Sequence, residues 1–194
     1  MGAVRLLRNL VPLVMVAGLA TGCGGGSSSS GASGPAPSTQ ALQLRPVYAR
    51  YTNTAPGAEQ LGPQVPKALG DTLKNFDCSS GSQDVQGMLM LCDSDGNVYV
   101  VEDPIVTGGV ATAVAKPIRG EKLWFVKVGL DPQATQTLSG VVDTSSGAEL
   151  ALVVDDHVIS APIIDSSMKD GTLGVIGNYD EQQARALATE LTQS

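Results

Sequence analysis

The 194-residue chain is predicted to fold as an α+β protein: an antiparallel sheet covered on one face by two amphipathic helices. Three observations predict it. Apolar runs of strand length recur from Leu42 onward and meet at short polar turns. Asp95-Gly96 separates two of these runs, a strong hairpin signal. Helical spacing with a capping signal follows Asp131-Pro132 and again Asp180.

Leu42 to Tyr51 alternates enough for a strand, and Pro46 within it predicts an edge position or a bulge, because proline cannot donate a ladder hydrogen bond. Thr52 to Pro66 holds Pro56, Pro63 and Pro66 with Gly57 and Gly62, which predicts a loop, and a short helix is expected around Lys67 to Asn75. Gly87 to Cys92 and Asn97 to Glu102 are the strands that flank Asp93-Ser94-Asp95-Gly96. A calcium loop starting at Asp93 would need glycine sixth and glutamate twelfth. Val98 and Pro104 stand there, so the turn is read as structural.

Leu123 to Leu130 places Trp124, Val126, Val128 and Leu130 on one face of a strand. Asp131 can cap the next helix with its carboxylate, and Pro132 fits the first turn, where no backbone donor is needed. Ala134, Leu138, Val141 and Val142 form one side of that helix. Strands over Glu149 to Val154 and Val158 to Ile164 join at Asp155-Asp156-His157, and a short strand over Thr172 to Ile176 follows Gly171. The last helix is capped by Asp180 with Gln183 completing a capping box; Ala184, Leu187, Ala188 and Leu191 fall on one stripe.

The N-terminus reads as an address. Met1 to Leu10 carries Arg5 and Arg8 without an acid, Leu10 to Ala20 is apolar, and small residues precede Cys23, the three parts of a secretory signal. The apolar stretch is shorter than the about 20 residues a bilayer span needs and contains Pro12 and Gly18, which argues against an uncleaved membrane helix. Leu19-Ala20-Thr21-Gly22-Cys23 resembles a lipoprotein processing box, whose cysteine is lipidated and becomes the new N-terminus. Ala20 occupies a place where that box more often has leucine, which keeps open ordinary cleavage with Cys23 as a free thiol. Gly24 to Gln40 has nothing to bury and is expected to be a flexible tether with a mean span of roughly 20 to 25 Å. The expected location is the extracytoplasmic face of the cell membrane, reached through a lipid anchor.

The chain has 12 basic and 19 acidic residues; without Arg5 and Arg8 the count is 10 against 19, about −9. Such a domain repels DNA, RNA and anionic lipid, and no basic cluster is read in the sequence, so no nucleic-acid partner is expected. Cys78 and Cys92 are an even pair in an exported chain, which predicts a disulfide. A zinc site would need four closely spaced ligands, whereas the single histidine, His157, is far along the chain; no metal and no cofactor are expected. Asp155, Asp156, His157 and Ser160 include the residue types of a hydrolytic triad, but a triad converges from separate segments beside an oxyanion site. These residues lie on one turn and strand, so no catalytic residue and no enzyme activity are expected.

Glu149 to Ile164 (ELALVVDDHVISAPII), Asp170-Gly171, Ile176-Gly177-Asn178-Tyr179 and the helix from Glu181-Gln182-Gln183-Ala184 to Leu187-Ala188 resemble the first extracytoplasmic domain of SecD, a component of the bacterial protein-export machinery. Ile105 to Ala115 is similar to the segment that opens that domain's head, and Leu44-Arg45-Pro46-Val47 resembles its base. The chain also resembles lipid-anchored, SecD-like proteins of actinobacteria. The resemblance implies a ferredoxin-like head, residues 105–194, on a small N-terminal β-hairpin base, residues 41–104, after the signal peptide, 1–22, and tether, 23–40. It implies a role near translocated polypeptides. SecD couples its head to a proton gradient through membrane helices, and without a span after the signal only the passive part is expected here. The expected function is thus a protein-interaction module that binds exported polypeptides or a translocon component around Ile159 to Ile164. A small-ligand or cell-envelope-binding lipoprotein that reuses the fold is the alternative.

Overall fold

The structure is a computed structural model that describes residues 41–52 and 66–193; these lie in one compact unit, Ala36–Ser194. In chain order the elements are β1 (Gln43–Tyr51), α1 (Lys67–Lys74), β2 (Gln83–Val85), β3 (Met88–Asp93), β4 (Val98–Val101), β5 (Val106–Thr107), β6 (Val110–Pro117), β7 (Trp124–Leu130), α2 (Pro132–Ser145), β8 (Leu150–Val154), β9 (His157–Ser160), β10 (Thr172–Tyr179) and α3 (Glu181–Gln193). The Thr52 to Pro66 loop falls almost wholly outside the described residues.

Two sheets form. In the first, β3, β4, β1, β8 and β9 are successive antiparallel neighbours, and a short parallel pairing of β3 with β9 closes the ring, Cys92 opposite His157 and Asp93 opposite Val158. β2 extends this sheet beside β3, and β5 pairs with the start of β1. The second sheet is antiparallel and has the order β10-β7-β6. Pro46 is accommodated as expected of a proline in a strand: the β1 to β4 register shifts between Val47 and Ala49, directly after it.

The side chains sort into three apolar clusters that follow this topology. Val47, Leu89, Leu91, Tyr99, Val101, Ala151, Val153 and Val158 belong to one cluster. All five ring strands contribute to it, so it fills a small closed barrel. Outside one wall of the barrel, Leu69 and Leu73 of α1 cover Ala49, Met90, Val98 and Val100. Outside the other, Leu44, Leu150 and Leu152 share a core with Val126 and Val128 of β7, Leu173 and Val175 of β10, Leu138 of α2, and Ala184 and Leu191 of α3.

The α+β class and the two helices on one sheet face hold, but the single ferredoxin-like sheet on a small hairpin base is corrected. Two strands expected beside the helices, β8 and β9, pair with β1 and β3 and build the barrel. The physical reason lies in Leu150 to Val154, apolar at every position and buried throughout. A strand with no polar face needs cover on both sides. Leu150, Leu152 and Val154 face the shared core, and Ala151 and Val153 face the barrel interior.

Local chemistry sets the helix starts. The Asp131 carboxylate accepts from the Ala134 backbone N–H at 2.8 Å. Asp180 and Gln183 form the reciprocal capping box, each backbone N–H donating to the other side chain at 2.9 and 2.8 Å. Gly109 explains the glycine pair between β5 and β6: its φ is +74°, and a Cβ there would lie 2.8 Å from the Ala134 Cβ.

Candidate functional site

The segment Ile159 to Ile164 leaves the barrel and is held from both sheets. The Tyr179 hydroxyl donates to the Ile159 carbonyl at 3.2 Å, and the Ile176 N–H donates to the Ser160 Oγ at 3.4 Å. The Leu150 N–H donates to the Pro162 carbonyl at 2.9 Å, the Ile164 N–H to the Ala148 carbonyl at 2.8 Å, and Glu149 bridges Ile163. Pro162 removes a donor from this outer stretch. Ile164 is 1% exposed and anchors the segment, while Ile163 turns outward at 51% exposure. The result is a fixed backbone that presents an aliphatic side chain to solvent. Such a group can contribute apolar contact to a partner but supplies no acid, base or nucleophile.

The polar residues nearby are occupied locally. Asp155 and Asp156 both have positive φ, 46° and 59°, and form the tight turn between β8 and β9. The exposed His157 ring meets the Asp155 backbone carbonyl through Nδ1 at 2.8 Å, and Asp156 accepts from the Ser82 hydroxyl at 3.0 Å. The structure therefore joins His157 to a carbonyl rather than to a carboxylate, and Ser160 to a backbone donor rather than to His157.

At the other polar turn, the Asp93 carboxylate accepts from the Asp95 N–H, the Asn97 N–H and side-chain amide, and the Tyr99 hydroxyl, at 2.7 to 3.1 Å. This carboxylate is used by its own hairpin. Burial, with the Asp93 charge next, pushes the Tyr99 hydroxyl up to about 12, so it stays protonated and donates at neutral pH. Burial likewise raises the Tyr179 hydroxyl, with Asp95 and Asp93 adding to the effect, which keeps its proton available to Ile159.

Cys78 and Cys92 form the expected disulfide, with a Cα separation of 5.7 Å. It ties the short 3₁₀ turn after α1, Cys78–Ser80, to β3. Arg50 of β1 pairs with Glu149 at 3.0 Å. Burial raises the Glu149 carboxyl above its usual range, and the Arg50 charge opposes that rise. Cys23 lies outside the described residues.

The expectation that the chain has no basic cluster is corrected by one hairpin. Lys116, Arg119, Lys122 and Lys127 all fall on β6, β7 and the turn between them, and all are exposed. Their spacing in the sequence, four cations within twelve positions against Glu121 alone, could have shown it.

Residues 85–194 match the family described as the P1 head subdomain of SecDF. Among curated proteins, the protein translocase subunit SecD of Acetobacter pasteurianus is 36% identical over 81 residues, 42% of this chain and 15% of that protein. The same subunit of Desulfurispirillum indicum is 31% identical over 67 residues, 34% of this chain and 13% of its own. The matched region is thus a small part of those relatives' length. A crystal structure of SecDF in its super-membrane-facing form superimposes with a TM-score of 0.52 at 22% identity, covering 80% of this chain and 19% of that one. A structure of SecDF as a membrane component that enhances protein export gives 0.50 at 19% identity, covering 80% and 63%. At these identities the structural likeness is one of fold. The family match takes in more than half of the chain, including β7, β8, β10 and both long helices, and the chain belongs to the SecDF P1 head subdomain family.

Proposed function

We propose that this chain is an extracytoplasmic, membrane-anchored lipoprotein that works as a protein-interaction module accessory to protein export, without bond-making chemistry of its own. The observation that carries the reading is Ile163, half exposed on a segment whose backbone is pinned from both sheets, in a chain of the P1 head family. A fixed apolar group costs little ordering entropy when an unfolded chain packs against it. Exported polypeptides in a non-native state, or a translocon component, are the proposed partners, and the Cys23 lipid is the proposed attachment. Among the described residues no helix is long and apolar enough to cross a membrane. The grooves between β6 and α3 and beside Asp131 are open to solvent, a shape that suits contact with a macromolecular partner.

A photo-crosslinking side chain at Ile163, placed in cells carrying the parent chain or Cys23→Ser, tests both parts. The expected adducts, identified by mass spectrometry, are exported precursors or export components, and lipid labelling should vanish only in Cys23→Ser. Adducts no richer in such proteins than those from an exposed position on α1 would count against the partner assignment. Labelling that survives Cys23→Ser would refute the anchor.

A further inference from the structure

The β6–β7 hairpin carries charge of the opposite sign to its surroundings. Residues 110–130 hold four cations and one acid, whereas the rest of the chain beyond the leader holds six cations and eighteen acids. Four of those six are in ion pairs: Arg50 with Glu149, Lys67 with Asp71, Lys169 with Asp143 and Arg185 with Glu181. None of the hairpin's four has an ion-pair partner among the described residues.

The β10-β7-β6 sheet buries one face under α2 and α3 and leaves the other open. On the open face Val114 stands opposite Lys127, and Phe125 stands between Lys116 on one side and Ile176 on the other. Val114 is 51% and Ile176 64% exposed, two of the three large apolar side chains most open to water among the described residues. The hairpin tip closes through the Ile118 N–H to the Leu123 carbonyl at 2.9 Å and puts Arg119 and Lys122 in solvent beside this face.

We propose that this face docks on the anionic headgroups of a lipid bilayer. Unpaired cations call for an anionic partner, and apolar side chains alternating with them gain from leaving water at the boundary between headgroups and acyl chains. A three-stranded sheet is a broad surface, so Lys116, Lys127 and the aliphatic groups can meet one plane together. The acidity of the whole chain does not prevent this, because charges more than a Debye length away, about 10 Å at 0.1 M salt, are largely screened. The contact does not require a lipid at Cys23; it would orient whatever part of the chain is already near a membrane.

The test uses the chain from residue 23 onward with Cys23→Ser, which retains the whole compact unit. Sedimentation with vesicles of phosphatidylcholine alone, or of phosphatidylcholine with one third phosphatidylglycerol, should show binding at least about tenfold tighter to the anionic vesicles at about 0.1 M salt, weakened by further added salt. The quadruple variant Lys116→Gln, Arg119→Gln, Lys122→Gln, Lys127→Gln should fall to the phosphatidylcholine level while melting at the parent temperature. Val114→Ser with Ile176→Ser should bind anionic vesicles several-fold more weakly with all charges kept. Should the quadruple variant misfold, the pair Lys116→Gln, Lys127→Gln alone should still lose most of the preference. Equal binding to both vesicle types, or undiminished binding by the charge variants, overturns the proposal. A dimer in light scattering that these variants abolish, without any vesicle preference, would assign the face to the acidic surface of a second copy instead.

Discussion

Replacing Cys78 and Cys92 together by alanine is expected to lower the folding stability by about 3 kcal/mol, because the bridge closes a short loop, with a sequence separation of 14, and so restricts the unfolded chain. For a protein of this size that corresponds to a fall in melting temperature of about 6 to 12 °C. The loss should start locally. α1 and the turn after it are joined to the barrel wall by Leu69, Leu73 and Phe76 together with this covalent link. β3 keeps its pairing with β4 and β9 whatever happens to the bridge. Hydrogen exchange should therefore accelerate first in Lys67–Lys74 and in β2, and later in β3. A double variant that melts at the parent temperature would refute the stabilising role.

Leu152→Ala is expected to cost roughly 2 to 5 kcal/mol, the range for a fully buried leucine whose removal leaves a cavity. Leu152 is 0% exposed and lies on the face of β8 that packs into the core shared with β7, β10 and the two long helices. Its neighbours Ala151 and Val153 point into the barrel. One strand thus forms part of the wall of both cores, and damage to one should be felt in the other. The single tryptophan, Trp124, reports on the three-stranded sheet, and far-ultraviolet circular dichroism reports on all strands. Both signals should move to lower temperature together in one transition. Two separated transitions would show that the barrel and the helix-covered sheet fold independently.

Most elements are legible in the sequence because local chemistry specifies them. Asp131-Pro132 and the Asp180 to Gln183 box start helices where expected, Asp95-Gly96 sits in the turn between β3 and β4, and the cysteine pair is bridged. Topology is less legible, because barrel closure rests on two parallel residue pairs between β3 and β9 and on β1 serving β4 and β8 at opposite ends. No local pattern encodes such long-range pairing. One clue is present: Leu150 to Val154 lacks the alternation of a strand with a wet face. The outward Ile163 is legible only as part of a family segment, since its backbone neighbours are fixed by long-range bonds, the Leu150 N–H to the Pro162 carbonyl and the Ile164 N–H to the Ala148 carbonyl. The basic hairpin is hidden when charge is summed over the whole chain, since the spacing of Lys116, Arg119, Lys122 and Lys127 holds the information.

Under the proposed function, the pinned, outward-facing segment Ile159 to Ile164 binds polypeptides in a non-native state. The most direct test of this binding is the affinity of the purified chain, from residue 23 with Cys23→Ser, for one exported protein kept unfolded and for the same protein folded, each compared with Ile163→Glu. Full burial of an isoleucine side chain contributes about 1.5 to 3 kcal/mol. Ile163 is half exposed, so about half of this is available, and the variant should bind the unfolded partner about three- to tenfold more weakly, while the folded partner should bind far less to either chain. Equal affinity of parent and Ile163→Glu for the unfolded partner, or equal affinity of the parent for both partner states, would rule out this binding role for the segment.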